Sequence, residues 1–185
     1  MKLNIATLLT LSRIVFIPVI VFFFIYDNGK YRDISAYIFL LALITDYLDG
    51  YVARNFNQTT NFGAFLDPIA DKLLVVITLF LLARSFDSLV FILSSLIIIS
   101  REFLVIAIRQ RLAEIKYNMP IKVNNLGKIK TGFQMFALVL LLHSNIDYLH
   151  INLHILGLLL LFTAAVLTVI SFVYYVRNAW DDILN

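Results

Sequence analysis

The chain has 185 residues, of which 61% are hydrophobic, 14% aromatic and only 15% charged, and its mean hydropathy is +0.89; soluble domains run at about 45–50% apolar and about 25% charged. This excludes an ordinary soluble domain and predicts an all-α, polytopic integral membrane protein. Cysteine is absent, which rules out disulfides, thiolate metal ligands and a cysteine nucleophile, and a net charge of +3 points to membrane lipids and not to nucleic acid.

A helix that crosses the hydrocarbon core, about 30 Å thick, needs about 20 mostly apolar residues. Six stretches qualify, at 8–26, 33–53, 65–84, 87–108, 126–143 and 151–176. The first resembles a signal peptide, but no small-residue cleavage pattern follows it and further spans do, so it is expected to be retained. Turn-forming residues separate the stretches: Asp27-Asn28-Gly29, the run 55–61, Asn124-Asn125, and Ser144-Asn145 followed by Asp147. Only residues 84–87 interrupt the third and fourth, which predicts a helical hairpin. No repeat or low-complexity tract divides the chain, so a single domain over 1–185 is expected.

Lysine and arginine set the orientation. With a cytoplasmic N-terminus, that side receives Lys2, Arg13, Arg54, Lys72, Arg101, Arg109, Arg111, Lys116, Lys122, Lys128, Lys130 and Arg177, and the other side only Lys30, Arg32 and Arg84. Both termini are then cytoplasmic. Asp46 and Asp49 at the end of the second span meet Asp67 and Asp71 at the start of the third, at one membrane depth. His143, His150 and His154 fall at the opposite face and read as interfacial, and Tyr174, Tyr175 and Trp180 as an interfacial anchor.

Carboxylates so near lipid are costly and mark function. On a helix Asp46 and Asp49 are about 60° apart and Asp67 and Asp71 about 40° apart, so each pair shares a face. Such hard oxygen donors suit Mg²⁺ or Mn²⁺, and two divalent cations would balance four carboxylates that otherwise raise one another's pKa. A pair of ions about 3.5–4 Å apart is a recognised device for phosphoryl transfer. Gly50, Ala53 and Gly63 keep the neighbourhood free of bulky side chains, and Arg54 offers a planar donor to phosphate. Arg54 is about 140° around an ideal helix from Asp49, so it reaches the site by its length or because the helix has ended. The structural alternative is helix capping, for which Asp67 before Pro68 has the right form. A non-enzymatic cation transporter would also place aspartates within helices, although transport sites favour the bilayer midplane.

The pattern D-x-x-D-G-x-x-A-R, eight residues, then G-x-x-x-D-x-x-x-D, formed by Asp46, Asp49, Gly50, Ala53, Arg54, Gly63, Asp67 and Asp71, resembles the signature of the CDP-alcohol phosphotransferase family. The resemblance implies six membrane helices, a homodimer, and transfer of a substituted phosphate from a CDP-linked donor to an alcohol with release of CMP. It further implies that the four aspartates hold two divalent ions, that Asp71 is also the general base, and that Gly50, Ala53, Arg54 and Gly63 hold the CDP moiety.

The fourth span ends in SREFLVIAIRQR and the fifth opens with LGKIKTGFQM. Arg101 and Arg109, about 80° apart on a helix, can lean toward one anion; Arg111, Lys116 and Lys122 read as ordinary cytoplasmic decoration. Arg101 lies inside the apolar run beside Glu102, where an Arg–Glu pairing or a ligand is required. Lys128 and Lys130 would be about 200° apart, so both face one site only if one of them precedes the helix. These segments, with N-I-x-x-L-L-T-L-S-R at 4–13, resemble the phosphatidylglycerophosphate-forming branch of the family, except that Ala6 and Thr7 replace its usual Pro and Asn; Thr7 is expected as a cap of the first helix. What the resemblance implies is CDP-diacylglycerol as donor, sn-glycerol 3-phosphate as acceptor held by Arg101, Arg109, Lys128 and Lys130, and a bacterial-type inner membrane with the site facing the cytoplasm. Serine, inositol phosphate or phosphatidylglycerol are the alternative acceptors.

Overall fold

Why each apolar stretch becomes a helix is a matter of solvent: in hydrocarbon every backbone N–H and C=O must be paired within the segment. A computed structural model describes residues 5–26, 31–55, 61–114, 125–143, 147–148 and 151–184; for 5–7, 49–55, 61, 64, 113–114, 125–126, 128, 147–148, 151 and 179–184 it describes the backbone alone. The described residues form helices α1 (Ile5–Ile25), α2 (Tyr31–Asn55), α3 (Asn61–Ala83), α4 (Leu89–Glu114), α5 (Asn125–Leu142) and α6 (Leu153–Leu184). A short antiparallel ladder, β1 (Asp147–Tyr148) with β2 (Ile151–Asn152), precedes α6, in the register Asp147 to Asn152 and Tyr148 to Ile151. The Asn152 side chain caps α6, accepting from the His154 and Ile155 amides at 3.2 and 3.3 Å.

Each predicted stretch corresponds to one helix, and the corrections are at the ends. α1 begins at Ile5 and α3 at Asn61. Thr7 and Asp67 therefore lie inside helices and neither is a cap. Pro68 and Pro18 are likewise internal, where each removes one backbone donor.

The helices form two groups of three. α1 packs on α2 and α3, while α6 packs on α5 and α4; α2 and α5 join the groups, and α3 and α4 share little contact although a short turn links them. The predicted hairpin is thus continuous in chain but splayed in space. One core runs through all six, from Ile20 and Phe24 through Phe39, Leu79, Leu82, Phe91 and Ile98 to Leu138, Leu141 and Leu161. Ala36, Ala42, Ala137 and Ala164 are buried at the helix contacts, where small side chains allow close approach.

The exterior is apolar too, with Phe22, Leu73, Phe80, Leu96, Phe136, Phe162 and Val173 exposed. Such a belt on every side fits lipid as solvent. By length and composition three described helices can cross a membrane, through the segments Leu8–Ile25, Leu89–Leu112 and Leu153–Asn178. The other three are interrupted by charge or are short: α2 and α3 carry the aspartates, and the apolar part of α5 is Ile129–Leu142.

At the end of the bundle where α2 starts, side chains tie the helices together. Arg32 donates from Nε to the Leu142 carbonyl (3.3 Å) and from Nη2 to that of Leu141 (3.2 Å), satisfying carbonyls that the end of α5 leaves without a helical partner. Its guanidinium also lies over the rings of Phe24 and Phe86. His143 donates to Asp33 at 2.6 Å, and His154 donates from Nε2 to the His143 carbonyl at 3.0 Å. Both histidines thus lie at the end remote from the aspartates and are held there by hydrogen bonds; His150 lies outside the described residues. Tyr174 is exposed as an anchor would be, but the Tyr175 hydroxyl is buried, and the Trp180 side chain is outside those described.

Candidate active site

The opposite end gathers the acids. Asp46 on α2 and Asp67 and Asp71 on α3 bring carboxylate oxygens within 4.8 Å of one another. Oxygens across a Mg²⁺ ion at about 2.1 Å lie about 4.2 Å apart, so small side-chain rotations would close this group on an ion. Hard oxygen donors in such an arrangement fit Mg²⁺ or Mn²⁺. Asp49, one turn beyond Asp46, has its backbone on the same helix, and its side chain lies outside those described.

A cation from α1 occupies the centre. Arg13 is fully buried, and its guanidinium reaches all three acids: Nη1 bonds Asp46 at 2.7 Å and also Asp71, and Nη2 bonds Asp67 at 2.5 Å. The carboxylates themselves remain open, with 42%, 44% and 35% of the Asp46, Asp67 and Asp71 side chains exposed. The acid group is thus backed by Arg13 from within and faces outward on its other side. Sequence reading brings Arg13, with Arg101, Arg109, Lys128 and Lys130, to the same end as the aspartates, but gives it no partner and no place in the site. The signal for more was present, because a charge inside an apolar run needs a counter-charge.

Beside the acids lies a group of cations. Lys130 of α5 is buried and its Nζ is 2.9 Å from Glu102 of α4. Arg101 bonds the same carboxylate at 3.0 Å and donates to the Ser171 hydroxyl of α6 at 3.1 Å. The Arg101 Nε and the Tyr175 hydroxyl are buried with no hydrogen-bond partner. Lys72, next to Asp71 in sequence, interacts electrostatically with Asp71 on one side and with Glu102, Arg101 and Arg109 on the other. It joins the two groups, and sequence reading did not single it out.

The remaining predicted residues are placed by backbone. Gly50, Ala53 and Arg54 lie on the last turns of α2, which continues to Asn55. Arg54 therefore gains no reach from an early helix end, and its side chain is outside those described. Gly63 lies in the first turn of α3, one turn before Asp67. Arg109 is on α4, exposed. Lys128 and Lys130 are both within α5, so neither precedes it and the two are on different sides of the helix.

The family model for CDP-alcohol phosphatidyltransferase matches residues 3–176, and the chain belongs to that family. Among curated relatives, a protein of Wigglesworthia glossinidia brevipalpis is 43% identical over 187 residues, covering 100% of both chains. Proteins of Salmonella choleraesuis (strain SC-B67) and Yersinia pestis (strain Pestoides F) are 41% identical over 185 residues, again covering 100% of both. All three are named CDP-diacylglycerol–glycerol-3-phosphate 3-phosphatidyltransferase.

Proposed function

We propose that the chain transfers the phosphatidyl group of CDP-diacylglycerol to sn-glycerol 3-phosphate, giving phosphatidylglycerophosphate and CMP. The observation that carries this is the juxtaposition, at one end of the bundle, of the Asp46–Asp67–Asp71 group with the Arg101–Lys130 group, with Lys72 between them. Full-length similarity to relatives of that name supports the choice of substrates.

In this reading Asp46, Asp49, Asp67 and Asp71 hold two divalent cations, Mg²⁺ or Mn²⁺, which when bound neutralise charge on the donor pyrophosphate. Gly50, Ala53, Arg54 and Gly63 accommodate the cytidine and its phosphates. Asp71 takes the proton of the acceptor's primary hydroxyl as that oxygen bonds to the diacylglycerol-linked phosphorus; the bond from this phosphorus to CMP breaks in line with the attack. Arg101, Arg109 and Lys130 hold the acceptor phosphate; Lys128, on another side of α5, is left out of that group. A fixed cation group suits an acceptor that itself carries phosphate. The orphaned Arg101 Nε supports such a ligand, since a buried donor left without a partner costs about 1–3 kcal/mol.

We further infer six membrane spans with both termini cytoplasmic, one domain over 1–185, a homodimer in a bacterial inner membrane, and a site facing the cytoplasm. The distribution of lysine and arginine supports the orientation. The test is CMP release by purified protein offered CDP-diacylglycerol and a panel of glycerol 3-phosphate, serine, inositol phosphate and phosphatidylglycerol, with Mg²⁺, with Mn²⁺ and with chelator. Release is expected with glycerol 3-phosphate and a divalent cation only. Faster release with another acceptor overturns the assignment of the acceptor; equal release in chelator overturns the role of the aspartates.

A further inference from the structure

Arg13 stands where the aspartates would hold an ion. Its planar fork touches Asp46, Asp67 and Asp71 at once, and the guanidinium is entirely enclosed while the three acids stay partly open on their other side. Three carboxylates within 4.8 Å repel one another strongly in a low-dielectric setting. A buried arginine with no acid beside it is equally unfavourable. Each therefore accounts for the other, and the group is electrostatically supported by the chain's own cation. A divalent ion reaching the same oxygens would add its charge next to that of Arg13.

We propose that Arg13 is an internal counter-cation that holds the three-aspartate cage together and is exchanged for a divalent cation, so that metal binding displaces its guanidinium from Asp46 and Asp71. This rests on the reading of the aspartates as cation ligands. Arg13 is then a positioning residue whose contacts are the ligands themselves. Because Nη1 serves Asp46 and Asp71 together while Nη2 serves Asp67, the exchange frees one oxygen on each of two helices. The guanidinium can keep Asp67 as it does so. Lysine in its place would keep the charge but lose the fork.

The test is binding of Mn²⁺ alone, followed by electron paramagnetic resonance in detergent, for the parent, Arg13→Gln and Arg13→Lys. Removing a competing charge a few ångströms from the ion should make Arg13→Gln bind Mn²⁺ at least about tenfold more tightly than the parent, with Arg13→Lys within about threefold of it. In chelator the glutamine variant should also melt below the parent, and saturating Mn²⁺ should close that gap. Equal or weaker Mn²⁺ binding by Arg13→Gln overturns the exchange. No Mn²⁺ binding by the parent instead overturns the aspartates as cation ligands, and the exchange with them.

Should Arg13→Gln not fold, the parent labelled with ¹⁵N-arginine gives the answer by NMR, since the chain has eight arginines. The signal missing from Arg13→Lys belongs to Arg13. It should shift on titration with Mg²⁺ and return with chelator; a signal that stays in place overturns the proposal.

Discussion

The Glu102 carboxylate of α4 accepts from Lys130 of α5 at 2.9 Å while Arg101, its neighbour in sequence, bonds the same oxygen at 3.0 Å. One acid thus balances two cations on two helices. Removing one partner of a buried ion pair costs about 3–5 kcal/mol; Glu102 retains 21% exposure, so about 2 kcal/mol is expected for Glu102→Gln. For a chain of this size that is a fall of about 4–8 °C in the melting midpoint. A thermal melt in detergent measures it, and a midpoint within about 1 °C of the parent contradicts the pairing.

Arg101 and Arg111 are two cations of α4 with different surroundings, the first mostly enclosed and bonded to Ser171, the second exposed. If Arg101 holds the acceptor's phosphate, Arg101→Ala raises the KM for glycerol 3-phosphate about tenfold or more, the loss of one charge-assisted contact. Arg111→Ala should leave it within about twofold. Initial rates of CMP release against acceptor concentration distinguish the two, and equal effects would misplace the acceptor site.

Asp71 is assigned both to cation binding and to the proton. Asp71→Asn keeps the size and removes the base, so kcat should fall by about 10²–10⁴. Turnover near that of the parent in saturating Mg²⁺ rejects the base assignment.

The glycines divide by their surroundings. A Cβ on Gly157 would meet Leu141 Cγ at 2.8 Å and Cδ2 at 2.9 Å, across the contact of α6 with α5. Gly157→Ala is therefore expected to destabilise by about 1–3 kcal/mol through overpacking. At Gly132 nothing lies within 4 Å of such an atom, so Gly132→Ala should be neutral or stabilising by up to about 1 kcal/mol, from helix propensity alone. Melts of the two variants side by side check the contrast.

The number and order of the helices were legible because hydropathy reports directly on which segments satisfy their own backbone in lipid. Helix partners were not, since hydropathy carries no information on which neighbour a lipid-compatible face will meet. This is why α3 and α4, adjacent in chain, looked like a packed pair while α4 in fact lies against α6. Local cap signals misled in the same way at Thr7 and Asp67: each is a good cap in isolation, yet the residues before it continue the helix. Of the site, the spacing of Asp46, Asp67 and Asp71 was readable because a helix fixes which side chains share a face. That Arg13 would be the cation among them, or that Lys130 would cross to Glu102, depends on helix order in space, which the spacing within one helix does not encode.

The ties at the far end of the bundle bear on traffic through it. Arg32 plugs the last carbonyls of α5, His143 is fastened to Asp33, and Phe86 stacks on Phe91 and meets the His154 ring edge to face. A carrier must open its site alternately to both faces of the membrane, and here the face remote from the aspartates is stitched across α1, α2, α5 and α6 by side chains that would all have to let go together. Among the described residues, a route for polar reactants through that face would have to break these ties, which weighs against a carrier.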